Sequence, residues 1–220
     1  SESIGVIGAG PAGLAAAEML RHSGYQVHIY DRYDRIGGLL MYGIPGFKLE
    51  KSIVERRGQL LIDGGVHFHL GVDIGGETSF ADIRAKHDAI LVATGVYKAR
   101  DIAAPGSGLD GIVPALEYLT VSNRKSLGDD AAAFDSGALN AEGKDVIVIG
   151  GGDTAMDCVR TAIRQKAKSV SCLYCRDRVN MPGSQREVQN AEEEGVIFKW
   201  LSAPQAFLGD DKVRAVQAQR

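Results

Sequence analysis

Long apolar runs are missing from this 220-residue sequence, and none approaches the roughly 18 residues that a membrane-spanning helix needs. The N-terminus also lacks the basic-then-apolar pattern of a secretory signal. Together these absences lead us to expect a cytoplasmic protein with no membrane partner. Strong charge of either sign is lacking too: the formal net charge is −3, so nothing electrostatic calls for nucleic acid or an anionic lipid surface. Cysteine is scarce, and Cys158, Cys172 and Cys175 are an odd number that supplies no disulfide framework. Cys172 and Cys175 have the spacing of a redox or zinc pair, but they fall in the strand-like run SVSCLYC. Side chains three apart on a strand point to opposite faces, so two buried thiols are expected. His67 and His69 share one face of VHFHL without a third donor nearby, which suits surface or packing roles better than a metal site. No acid–base pair stands out. The remaining composition, 45% hydrophobic and 24% charged, is that of an ordinary globular chain with room for one or two domains.

The stretch IGVIGAGPAGLAAAEML, Ile4 to Leu20, organises the first half. An apolar run ends at Ile7, glycines follow at Gly8, Gly10 and Gly13, and an Ala/Leu-rich helix runs to about Ser23. Gly8 permits a sharp turn, Gly10 lets the backbone approach a pyrophosphate, and Gly13 lets helix and strand pack closely. The phosphates then meet free N–H groups at a helix N-terminus. A second strand, YQVHIYD, ends at Asp31, 18 residues past Gly13, where a carboxylate accepts hydrogen bonds from a ribose diol. Glycine turns alone are weak signals. Strand, helix and acid at the expected spacing make this one a dinucleotide site.

Beyond Asp31, Gly37-Gly38 lets the backbone pass close to a bulky second half of the ligand. A polar helix is expected from about Lys48 to Ile62, then a strand at VHFHL. DAILVAT, Asp88 to Thr94, is a continuous apolar run suited to a parallel strand covered on both faces. Pro114 opens a short amphipathic helix, PALEYLTV. Residues 123–143, rich in Gly, Ala, Ser and Asp, read as a linker or an exposed connection.

Then the opening pattern repeats. DVIVIGGGDTAMDCVRTAI, Asp145 to Ile163, is again strand, glycine turn and helix, with Gly150, Gly152 and Ala155 in the key positions. Two such units imply two dinucleotides. No acid follows the strand SVSCLY; Arg176-Asp177-Arg178 does, and arginine there replaces a diol acceptor with a phosphate clamp, favouring NADPH over NADH. A helix over Ser184 to Glu194, a strand at VIFKW and a hairpin turning at Gly209-Asp210-Asp211 complete the pattern. The fold class expected is α/β, with two Rossmann-like units.

GAGPAGLAAA, RIGGLLMYGIPGFKLEK, ILVATGVYKARDI, VIGGGDTAMDC and RDRVNMPGSQREVQNAEEEG together resemble the small (β) subunit family of bacterial NADPH-dependent glutamate synthases, over essentially the whole chain. The resemblance implies an FAD domain with an NADPH domain inserted into it, laid out like glutathione, adrenodoxin and thioredoxin reductases. It assigns residues 1–122 to FAD, 123–143 to a linker and 144–220 to NADPH. FAD phosphates would meet Gly8, Gly10, Pro11, Ala12 and Gly13, and its ribose Asp31. Gly38, Leu39 and Gly43 would line the flavin side, Ile74 would offer backbone to the adenine, and Thr94-Gly95 would close the site. NADPH would sit on Gly151, Gly152, Asp153 and Thr154, with Arg176 and Arg178 near its 2′-phosphate. The family usually has two adjacent arginines after this strand, and here the first is Cys175. Electrons in the family leave through iron–sulfur clusters towards the large subunit, where glutamine and 2-oxoglutarate become glutamate. Three scattered cysteines supply no four-cysteine cluster. Beginning almost on its first strand and ending inside the second unit, the chain reads as an excised piece.

Two other functions fit the same residues. One is the flavin segment of a dihydropyrimidine dehydrogenase-like or NADPH:ferredoxin oxidoreductase, against which GIPGFKLEK favours glutamate synthase. The other is a non-catalytic folded fragment. A thioredoxin reductase-like enzyme would need its CxxC ahead of the second glycine turn.

Overall fold

The computed structural model describes residues 2–99 and 102–219, so Arg100 and Asp101 of the ILVATGVYKARDI motif, and the chain ends, lie outside the described residues. Two compact units divide between Tyr97 and Lys98.

The first unit runs β1 (Ser3–Ile7), α1 (Pro11–His22), β2 (Gln26–Asp31), α2 (Leu39–Tyr42), α3 (Lys51–Asp63), β3 (Val66–Leu70), α4 (Phe80–Lys86) and β4 (Ala89–Val92). Its four strands form a parallel sheet in the order β3-β2-β1-β4, the first half of a doubly wound arrangement. Alternation along β2 decides the layers. Val27 and Ile29 are fully buried with Val6, Leu14, Ala17, Leu61 and Val66 in the core, while His28 and Tyr30 face the other way. On that opposite face the expected packing role of His67 and His69 is realised: His67 stacks on His28 at 4.8 Å between centroids and His69 on Tyr30 at 4.5 Å. His87 joins them through Tyr30 Oη at 2.9 Å. Helix α3 begins later than Lys48 because Lys48 and Leu49 donate to Pro45 O in a preceding turn.

DAILVAT does not behave as expected. β4 pairs with β1 alone among the described strands, and Leu91 and Val92 are 38% and 61% exposed. A continuous apolar run shows that a strand is apolar on both faces; it does not show that both faces are covered within the unit.

The second unit contains α5 (Ala115–Ser126), α6 (Ala132–Asp135), β5 (Asp145–Ile149), α7 (Asp153–Arg164), β6 (Ser169–Leu173), α8 (Gln185–Glu193), β7 (Ile197–Lys199) and the pair β8 (Ala203–Gly209) and β9 (Val213–Gln219). β5-β6-β7 form a parallel sheet, and its core joins Met156, Val159, Ala162, Val170, Cys172, Val188 and Val196. The antiparallel hairpin β8–β9 is anchored by Phe207 N–H on Pro105 O and Val213 N–H on Asp110 O.

Residues 123–143 form a partly exposed connection with fixed points of contact. Asn123 is buried in the last turns of α5, bonding Leu119 O. Gln165 Oε1 accepts from Tyr118 Oη at 2.8 Å and Ala141 N at 2.9 Å. The Lys144 ammonium caps Gly137 O and Asn140 O. Small residues held by such polar contacts show no hydrophobic period, which is why composition alone resembles a linker.

Candidate functional site

In the first unit the glycine turn is held by its neighbours in sequence-distant strands. Gly8 adopts φ +113°, a left-handed conformation that favours glycine, and donates to Tyr30 O at 2.8 Å. A Cβ at Gly13 would stand 1.9 Å from Gly8 O, so α1 can lie against the turn only without one. At Gly10 the same construction meets no described atom within 4 Å. An open notch therefore lies at the N-terminus of α1, beside Pro11 at its first position and exposed Ala12.

Asp31 ends β2 and is buried at 8% exposure. Its Oδ2 accepts from Ala9 N at 2.6 Å and its Oδ1 from Tyr33 N at 2.8 Å. The carboxylate ties turn to strand, and each oxygen keeps a second lone pair for a diol. Gly37 donates to Ala9 O at 2.9 Å, bringing Gly38 against Gly10; a Cβ at Gly38 would be 3.0 Å from Gly10 Cα. Leu39 opens α2 and Gly43 closes it. Thr94 lies beside Gly8, with Gly95 next in sequence, while Ile74 sits half-buried two residues past Val72, whose N–H bonds Asp31 O. Sequence reasoning missed Arg32, which stacks over Tyr97, 4.3 Å from the ring centroid, and over Tyr33 at 5.1 Å. That cluster adjoins Asp31, and its only sequence signal is the Arg-Tyr pair that follows the acid.

The second unit repeats the plan with different supports. Gly152 precedes α7 and again meets no described atom at a built Cβ. Gly151 packs against the Tyr174 ring, which a Cβ would approach to 2.3 Å. Cys172 donates its thiol to Gly150 O at 3.3 Å, and burial pushes that thiol up to about 12. Cys175, expected to be buried, is exposed, because β6 ends at Leu173 and the chain has already left the sheet. The loop after β6 folds back over the turn: Gly183 N donates to Gly151 O at 2.9 Å, and Ser184 N to Asp153 Oδ1 at 3.0 Å. Asp153 and Thr154 open α7, and exposed Arg176 and Arg178 ride on that same loop. Sequence spacing carried no sign of Tyr174, Gly183 or Ser184, whose contacts are non-local.

Both units thus present open backbone at a helix N-terminus, where N–H groups and the helix dipole favour a diphosphate. The first offers a carboxylate beyond it and the second offers guanidinium groups. Among the described residues, no three His, Cys, Asp or Glu side chains converge to hold a metal, and no helix is long and apolar enough to cross a membrane.

Comparison with known proteins supplies the family. Residues 2–220 match the pyridine nucleotide-disulphide oxidoreductase family. The chain is 68% identical over 218 residues to the glutamate synthase [NADPH] small chain of Azospirillum brasilense, covering 99% of this chain and 45% of that protein. It is 64% identical over 220 residues to the putative glutamate synthase [NADPH] small chain of Cereibacter sphaeroides, covering all of this chain and 52% of the relative. The chain therefore spans about half the length of these curated relatives. Among solved structures, FprA of Mycobacterium tuberculosis in complex with NADPH superposes with a TM-score of 0.85 at 17% identity, over 100% of this chain and 63% of that one. This last likeness concerns the fold alone.

Proposed function

This chain belongs to the pyridine nucleotide-disulphide oxidoreductase family, and from that premise we propose that it is the nucleotide-handling part of an NADPH-dependent glutamate synthase small subunit. The first unit holds FAD and the second NADPH, and electrons pass from NADPH through FAD towards iron–sulfur clusters. The large subunit is the partner in which glutamine and 2-oxoglutarate yield glutamate, and the compartment is the cytoplasm. The observation that carries this reading is the repetition, within one chain, of an open glycine notch on a helix N-terminus at Gly10 and Gly152, followed by an acid in one unit and arginines in the other.

The residues fit both nucleotides. Pyrophosphate passing Gly10 would meet the N-terminus of α1 where no side chain intervenes, with Pro11, Ala12 and Gly13 beside it and Asp31 on the ribose. Gly38, Leu39 and Gly43 shape the approach on the flavin side, Ile74 serves the adenine, and Thr94 and Gly95 complete the wall. In the second unit Gly151, Gly152, Asp153 and Thr154 take the pyrophosphate, and Arg176 and Arg178 take the 2′-phosphate. When bound, the two cofactors supply hydride donation and its conversion to single-electron transfer; the protein supplies position and electrostatics. The cysteines do not fit a cluster: Cys158 and Cys172 are buried, with thiols pushed up to about 12 by burial, and Cys175 is exposed. Cluster ligands belong to other residues of the full-length protein or to a partner.

The test is the coenzyme preference of the full-length protein. NADPH should exceed NADH in kcat/KM for flavin-dependent dye reduction, and replacing Arg176 and Arg178 together by alanine should collapse that ratio. An unchanged ratio in the double variant would put the phosphate clamp elsewhere.

A further inference from the structure

The two arginines assigned to the 2′-phosphate are not in equivalent states. Arg178 Nη1 donates to Glu192 Oε1 at 2.8 Å, across from the loop to helix α8. We propose that Glu192 is a specificity-determining positioning residue that competes with the nucleotide's 2′-phosphate for Arg178. This rests on the reading of the second unit as an NADPH site.

Three features of the loop make Arg178 the movable part. Asp177 Oδ1 accepts from Asn180 N at 2.9 Å and Nδ2 at 2.8 Å, which fixes the turn, and Gln185 Nε2 holds Arg178 O at 2.9 Å. Gly183 and Ser184 then fasten the loop to the glycine turn. The Arg178 backbone is thereby set beside the phosphate cradle, while its side chain is 45% exposed and that of Glu192 34% exposed. An ion pair so exposed is weak and readily exchanged. The neighbouring acids on α8 and at its C-terminal cap are committed elsewhere: Glu187 to Arg160 at 2.6 Å, Glu194 to Arg160 at 2.8 Å and to Arg164 at 2.6 Å, and Glu193 to Gln189 at 2.9 Å. Glu192 faces the loop.

A phosphate dianion can displace this carboxylate because it offers more charge and a bidentate acceptor to the guanidinium. A 2′-hydroxyl offers neither, so a nucleotide without the phosphate leaves the pair closed. Glu192 thus imposes a cost on the phosphorylated ligand alone, through loss of the pair and through repulsion of the incoming dianion.

The experiment measures calorimetric affinity of the full-length protein for 2′,5′-ADP and for 5′-AMP at low ionic strength. Glu192→Gln should tighten 2′,5′-ADP relative to 5′-AMP by about two- to fivefold, the size of an exposed ion pair, and Glu192→Ala should do the same. The gain should shrink at high salt and vanish in an Arg178→Ala background. An unchanged or smaller ratio in Glu192→Gln overturns the proposal, since Glu192 would then be inert or would assist binding by orienting Arg178. Arg178→Ala alone separates the two levels: loss of 2′,5′-ADP affinity with no effect of Glu192→Gln sinks only the competition. No loss in Arg178→Ala sinks the site assignment and the proposal with it.

Discussion

Alanine at Gly10 should separate folding from ligand binding, because the structure assigns this glycine no folding role. Its φ of −75° and ψ of −178° are accessible to any residue, and an added Cβ meets no described atom within 4 Å. The folded state therefore loses nothing, while the unfolded chain loses freedom, so Gly10→Ala should leave stability unchanged or raise it by about 0.4–1 kcal/mol. The new methyl nevertheless projects into the notch over the N-terminus of α1, where a pyrophosphate must come within hydrogen-bond distance of backbone N–H groups. Losing two or so such charge-assisted bonds, at about 1.5–3 kcal/mol each, should weaken FAD by at least 100-fold. Gly13→Ala is the opposite case. Its Cβ would stand 1.9 Å from Gly8 O, a backbone atom that no rotamer change can move, so α1 must shift and stability should fall by about 1–3 kcal/mol or more. Urea denaturation of the apoprotein and fluorescence titration with FAD read both quantities. If Gly10→Ala destabilised the apoprotein as Gly13→Ala does, or bound FAD with wild-type affinity, the notch would not be the pyrophosphate site.

Asp31→Ala strands the buried N–H of Ala9 and removes the acceptor of the half-buried Tyr33 N–H, and should cost about 1–3 kcal/mol in urea denaturation together with loss of flavin retention; unaltered stability and retention would contradict its double role. Acid should affect the two units in different ranges. Burial holds His28, His69 and His87 below the usual imidazole value of 6.5, so the unfolded state takes up more protons and the first unit should lose stability as pH falls through about 6.5. Burial alone would raise the Glu194 carboxyl, but hydrogen bonds from Arg164 and Arg160 overcome it and hold it at about 2, against an ordinary 4.5. Its contribution, about 1 kcal/mol after solvent screening, is present above pH 4.5 and lost towards pH 2. Glu194→Gln should flatten that lower part of the stability profile, and an unflattened profile would remove the assignment. Thiol titration should find Cys175 reactive in the native protein and Cys158 and Cys172 reactive only after unfolding; a native count of three would contradict the burial.

What the sequence made legible is local. Glycine spacing, the helix that follows it and the acid at Asp31 all lie within about thirty residues of one another, and each βαβ unit carries its own pattern. The paired glycines Gly37-Gly38 were also readable as a close backbone approach, realised against Ala9 and Gly10. Supports that reach across the fold were not legible. Tyr174 beneath Gly151, Gly183 on Gly151 O and Arg32 between Tyr97 and Tyr33 follow from which strand ends meet, and no periodicity records that. The same limit explains β4 and residues 123–143. Apolar content does not say what covers a strand, and small polar residues look unstructured until Gln165 and Lys144 are seen to bind them. Cys175 was misplaced by two residues of strand: the run SVSCLYC continues in composition past Leu173, where pairing with β7 ends.

If one chain carries a flavin unit and an NADPH unit that work together, NADPH must reduce the flavin. Anaerobic mixing of the flavin-loaded full-length protein with NADPH, and separately with NADH, while the flavin absorption band is followed, tests it most directly. Bleaching by NADPH should be fast and should outpace NADH, and the advantage should disappear when Arg176 and Arg178 are both alanine. A protein that binds no flavin, or whose flavin is bleached equally by both coenzymes with or without those arginines, would contradict it.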